Sequence, residues 1–96
     1  SATLRVQYAN FAFNVMRDPR LAIALMRDAV ELAPGQPSHR AGLLRFQLAS
    51  NLHDPSTISA EIDQLRALNH DGVLDEDLEQ IESLLSDQDD RSGTRP

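Results

Sequence analysis

Apolar positions along this chain recur at helical spacing in five separate stretches, and proline, glycine and aspartate stand between them. The first stretch, Thr3 to Met16, carries two apolar stripes side by side: Leu4, Tyr8, Phe11, Ala12 and Val15 on one, Val6, Ala9, Phe13 and Met16 on the other. A helix apolar on two stripes is expected to be covered on two sides. Its polar remainder is Gln7, Asn10 and Asn14, and the two asparagines, four apart, share a face.

The second stretch, Asp18 to Pro37, is punctuated at both ends. Asp18 can cap free backbone N–H groups, Pro19 fits the first helical position, and Pro34, Gly35 and Pro37 forbid continuation. Leu21, Ala22, Leu25, Met26, Ala29 and Leu32 form the expected inward stripe. A third helix is expected from Pro37 to about Leu52, with Leu43, Leu44, Phe46, Leu48, Ala49 and Leu52 apolar. A fourth is expected from about Pro55 to Leu68, carrying Ile58, Ala60, Ile62, Leu65, Ala67 and Leu68. After the turn Asn69-His70-Asp71-Gly72, the span from about Leu74 to Leu85 has one apolar stripe: Leu74, Leu78, Ile81 and Leu85. Its acidic first turn suits a helix N-terminus, and one-sided amphipathicity marks a helix that closes a stack. Residues 87–96, polar with Gly and Pro, are read as a disordered acidic tail.

The pattern repeats. Asp-Pro recurs 36 residues on, at Asp54, and Ala22-x6-Ala29 returns as Ala60-x6-Ala67, shifted by 38. This period is near that of the ~34-residue helix–turn–helix repeat. Residues Thr3 to Gln36 resemble one tetratricopeptide repeat: Ala9, Phe13, Ala22, Met26 and Ala29 fall on its small or aromatic positions, and Pro34 on its closing proline. A second, looser unit covers about residues 37–69. Asn10 and Leu44 occupy the family's small position in the first helix, the connection from Asn51 to Thr57 is longer, and no proline follows Ala67. The resemblance implies an all-α fold over residues 1–86: a right-handed stack of two antiparallel helical hairpins and a C-terminal capping helix.

It also implies an inner surface lined by the first helix of each hairpin. Its groove-facing positions are Gln7, Phe11 and Asn14 from the first unit, and Ala41, Arg45 and Leu48 from the second. In such a groove Arg45 could pair with a carboxylate, Asn14 could bond a peptide backbone, and Phe11 could hold an apolar side chain. With two hairpins the groove is short, and single-peptide affinity is expected to be roughly micromolar or poorer. The subclass that clamps acidic C-terminal peptides with Lys and Asn is rejected. The chain has no Lys, and Gln7, Phe11 and Gly42 hold those positions. A competing surface is the N-terminal edge, where Leu4, Tyr8, Phe11 and Val15 have no preceding repeat to cover them. That edge suits a homodimer or the remainder of a parent chain.

Composition narrows the chemistry. The chain has three Phe, one Tyr and no Trp, so its core is built from Leu, Ile, Val, Ala and Met, a choice that favours helices. Absence of Cys excludes disulfides and thiolate metal sites. The net charge of -6 is unevenly spread: +1 over residues 1–36, 0 over residues 37–69, and -7 from His70 on. A basic face for nucleic acid is missing. All nine basic residues are arginine, as a GC-rich bacterial genome would encode.

His39, His53 and His70 fall at three different helix boundaries and are not expected to share a metal. The C-terminal acids lack calcium-loop spacing. No phosphate loop, nucleophile motif or paired-carboxylate signature is present, so neither enzyme activity nor a cofactor is expected. No apolar run reaches the ~20 residues of a membrane span. Starting at Ser without Met, the sequence reads as a domain cut from a longer protein, of bacterial cytoplasm or periplasm. Its Arg-rich, Lys-free, two-hairpin pattern is also similar to soluble C-terminal segments of bacterial membrane proteins of the O-antigen polymerase and ligase kind. That similarity implies a structural or regulatory appendage with no ligand of its own. The first expectation is a non-enzymatic module that binds a protein or peptide.

Overall fold

A computed structural model describes residues 1–92, all of whose regular structure is helical: α1 (Ala2–Asn14), α2 (Pro19–Leu32), α3 (Pro37–Ala49), α4 (Ile58–Ala67) and α5 (Asp75–Ser92). Local chemistry accounts for most of these boundaries. The Ser1 hydroxyl accepts from the Leu4 N–H at 3.3 Å to start α1. The Asp18 carboxylate accepts from the Leu21 N–H at 3.1 Å to start α2, with Pro19 in the first turn. Between them Arg17 takes a left-handed φ of 57°, and the Met16 and Asp18 amides reach back to the carbonyls of Phe11 and Ala12. The chain reverses within four residues, so α2 runs antiparallel along α1.

The second Asp-Pro behaves differently. The Asp54 carboxylate accepts from both the N–H and the hydroxyl of Ser56, at 3.0 and 2.8 Å, and these bonds hold its pKa below the ordinary carboxylate value. A carboxylate bonded two residues ahead makes a turn instead of a helix cap. The fourth helix therefore begins at Ile58, not near Pro55. The third ends at Ala49, short of Leu52, because Asn51 adopts a left-handed φ of 60° and the Leu52 N–H bonds back to the Gln47 carbonyl. Helix α5 runs past the expected stop at Leu85. No Gly or Pro intervenes before Gly93, so residues 87–92, read from sequence as part of a disordered tail, continue the helix. The remainder of that tail, residues 93–96, lies outside the described residues.

Two apolar clusters meet on α3. The first joins Ala9 and Ala12 of α1, Ala22, Ile23, Leu25 and Met26 of α2, and Phe46 of α3. Ala9, Ala12, Ala22 and Ala29 expose none of their surface, so α1 and α2 come together across single methyl groups. Gly42 serves the same end between α2 and α3. A Cβ there would lie 2.8 Å from the buried Met26 Cε, so its absence lets that methionine rest on the α3 backbone. The Phe13 and Phe46 rings stack face to face, with centroids 4.4 Å apart, and tie α1 to α3. The second cluster joins Ala41, Leu44 and Leu48 of α3, Ile62 and Leu65 of α4, and Leu74, Leu78 and Ile81 around α5. Here α5 lies along α3, whereas α4 touches both neighbours sparingly.

Several expected core positions are placed otherwise. The Ala22/Ala29 spacing is buried, but Ala60 and Ala67 are exposed. The buried stripe of α4 is Ile58, Ile62 and Leu65, and both alanines fall on the opposite side of that helix. In α2 the buried surface is rotated towards Ile23 and Met26, leaving Leu32 at its margin in solvent. Helix α1 is not covered on both sides as expected, and of its first stripe only Ala12 is buried. Leu4, Tyr8, Phe11 and Val15 face solvent.

Polar contacts lock the last turn. The Asn69 side-chain oxygen accepts from the Leu74 N–H and its amide donates to Asp75, both at 2.7 Å. Asp71 and Gly72 take left-handed φ values of 59° and 74° there. The exposed Arg66 guanidinium donates to Glu82 at 2.8 Å and joins α4 to α5. Ala29→Leu should destabilise the protein by about 1–3 kcal/mol, because Ala29 is fully buried and three more carbons must displace its neighbours. Ala67→Leu should leave the urea midpoint nearly unchanged. Equal effects of the two substitutions would contradict this packing.

Candidate interaction groove

The helices α1, α3 and α5 share one concave surface. Part of it is a cleft of about 360 Å3. Asn10 and Asn14 form one wall, Gln80, Ser83 and Leu84 of α5 the other, and Arg45 and Ala49 lie between them above the stacked Phe13 and Phe46 rings. A second cleft of about 250 Å3 continues it, sharing Asn10, Arg45 and Phe46 and reaching His39 and Asp77.

Helical spacing explains why these groups converge. Asn10 and Asn14 are one turn apart on α1, as are Arg45 and Ala49 on α3. On α5, Asp77, Gln80 and Leu84 climb the side next to the Leu74–Leu78–Ile81 stripe. The Asn10 amide donates to the Val6 carbonyl at 3.1 Å, which leaves its oxygen free to accept. Asn14 makes no side-chain hydrogen bond among the described residues, so both its donor and its acceptor are open.

Arg45 is the one charged group that α3 sends into this surface. Its Nε lies 3.5 Å from an Asp77 carboxylate oxygen, both side chains being about two-thirds buried. The approach is an ion pair without a formed hydrogen bond, so the buried Nε–H has no acceptor. His39 Nδ1 is a second buried nitrogen without a partner beside the same cleft. The groove therefore offers amide donors and acceptors, an arginine only partly committed to its carboxylate, and an aromatic floor. It is suited to an extended polar backbone carrying small or apolar side chains.

The residues expected to line the groove separate into three groups. Asn14 and Arg45 both line it, beside the aromatic pair. Gln7 is exposed on α1 but lines neither cleft, and Phe11 points to the open side of that helix together with Leu4, Tyr8 and Val15. Ala41 and Leu48 are corrected outright. They are 0% and 1% exposed in the cluster between α3, α4 and α5, so no ligand reaches them. The α5 side of the groove escaped sequence reasoning. Its polar face looks like a solvated one until α5 is placed beside α3, and the available signal was only that Gln80 and Ser83 interrupt a run of acids.

Another cleft, of about 310 Å3, lies between α2, α3 and α4, with Arg27 and Arg40 at its edge and Leu43, Leu44 and Leu65 beneath. Among the described residues no cluster of His, Asp and Glu could hold a metal ion, and no helix is long and apolar enough to cross a membrane. Compared with family models, curated proteins and solved structures, the chain shows no match.

Arg45 and Asp77 should be coupled. A double-mutant cycle with Arg45→Met and Asp77→Asn is expected to give about 0.5–1 kcal/mol of interaction in urea unfolding, shrinking as salt is raised. Coupling that is absent at low salt would mean that the pair does not help hold α5 on α3.

Proposed function

We propose that the protein is a non-enzymatic interaction module of tetratricopeptide-like build, which takes an extended peptide segment of another protein in the groove between α1, α3 and α5. The observation that carries this reading is that the first, third and fifth helices face one another across a single cleft while α2 and α4 lie behind. In a stack of helical hairpins the first helices line an inner face where partners bind, and the shared cleft supports that reading. The first hairpin fits the pattern closely, with buried alanines at Ala9, Ala22 and Ala29. The second is looser, because α4 packs thinly on α3 and the α5 helix takes up much of the contact.

Chemistry at the groove agrees with a peptide backbone as ligand. Asn14 and Gln80 line the cleft from different helices, each an amide able to donate to and accept from a backbone passing between them. Arg45, held short of a full hydrogen bond by Asp77, can turn one N–H to a carbonyl or carboxylate of the ligand.

Selection of displayed random peptides against the purified protein tests this. Peptides are expected to bind at roughly micromolar affinity, weakened about tenfold by Asn14→Ala or Gln80→Ala, each removing an exposed amide. Failure to select any peptide, or binding indifferent to both substitutions, would overturn the groove as the binding surface. It would leave the chain as a structural appendage of a larger protein.

A further inference from the structure

The groove leaves an apolar strip of α1 unused. Leu4, Tyr8, Phe11 and Val15 are 65%, 48%, 51% and 63% exposed, and they occupy a strip no wider than about a sixth of the helix circumference. Solitary exposed apolar residues are ordinary. Four large ones in unbroken register on one helix are not.

We propose that this face is a homodimer interface in which α1 of one copy packs antiparallel against α1 of a second. Three observations select a second copy as the occupant. The first is spacing. The steps along the strip are four, three and four residues, the same read in either direction. An antiparallel copy therefore sets Leu4 against Val15 and Tyr8 against Phe11, twice over, about a two-fold axis between residues 9 and 10. Such steps are also the alternation that lets two helices interlock side chains along a seam. A two-fold interface must be self-complementary, and this strip is.

The second observation is charge. The chain is strongly acidic, but its surplus lies from His70 on. Helix α1 carries a single charged side chain, Arg5, and in the antiparallel register it falls opposite Asn14 of the second copy. Two copies can approach through α1 without bringing acid against acid, which α5 could not do. The third is area. The four side chains together expose on the order of 400–500 Å2 per copy, more than half of the ~800 Å2 that each partner contributes to a stable interface. Met16, 46% exposed just past the helix end, extends the patch at its rim. Doubled over two copies, that area falls at the small end of specific interfaces, where reversible association is found. The proposal rests on the strip and not on the groove, with which it shares only Asn14, at the rim of both.

Sedimentation velocity over a concentration series, to about 0.5 mM, tests it. A monomer–dimer equilibrium is expected, with the larger species at twice the 10.7 kDa chain mass. Phe11→Asp should raise the dissociation constant at least tenfold, and Tyr8→Lys should do the same, with circular dichroism of both variants unchanged. Because the chain has no cysteine, introduced thiols report register directly. Leu4→Cys mixed with Val15→Cys should form a mixed disulfide on mild oxidation, while neither variant alone should cross-link. A strict monomer at the highest concentration, a dimer that ignores both charge substitutions, or 4–4 and 15–15 cross-links without the mixed species would each overturn the proposal.

Discussion

Close approach of helices across alanine and glycine is the constraint on which this small protein rests. With three Phe, one Tyr and no Trp, the chain has few bulky groups to fill space between cylinders. It reaches interior density by removing side chains at the points of contact. Ala9, Ala12, Ala22 and Ala29 are wholly buried between α1 and α2 and on the inner side of α2. Gly42 carries the same solution to the next interface, where the Met26 thioether lies over bare backbone. Once these distances are set, the few large groups have defined places. Phe13 and Phe46 can stack only because α1 and α3 are both held close to α2. That stacked pair is the floor of the groove, so the geometry of the candidate site is inherited from methyl contacts behind it.

The parts of the fold legible in the sequence are those decided within one turn of chain. Asp18 with Pro19 starts a helix, and the alanines seven residues apart behind it are buried, because cap and stripe are local properties. The same dipeptide at Asp54 shows where local reading stops. Its carboxylate can bond two residues ahead or three, and Ser56, with two donors, captures it. Ala60 and Ala67 repeat a spacing but not a face. What matters is their angle to the Ile58–Ile62–Leu65 stripe, which is the side that α3 and α5 cover.

The site was half legible for a related reason. Asn14 and Arg45, which the repeat resemblance assigns to a groove, do line the cleft between α1, α3 and α5. Ala41 and Leu48 required knowing which side of α3 the last helix occupies. Helix α5 covers them and supplies Gln80, Ser83 and Leu84 as the far wall. Its acidic residues, seen in sequence as a solvated cap, therefore have a second use at Asp77, which meets Arg45.

Helix α3 belongs to both apolar clusters, and no other helix does. The N-terminal pair and the C-terminal pair thus communicate through a single cylinder, with Phe46 turned to one and Leu44 and Leu48 to the other. Order in this molecule is transmitted like tension along a chain with one shared link. Loosening α4, which touches its neighbours least, is a local event. Loosening α3 takes Phe46 from one cluster and Ala41, Leu44 and Leu48 from the other and removes the groove with them, so the coupling of the two clusters rests on the thirteen residues from Pro37 to Ala49.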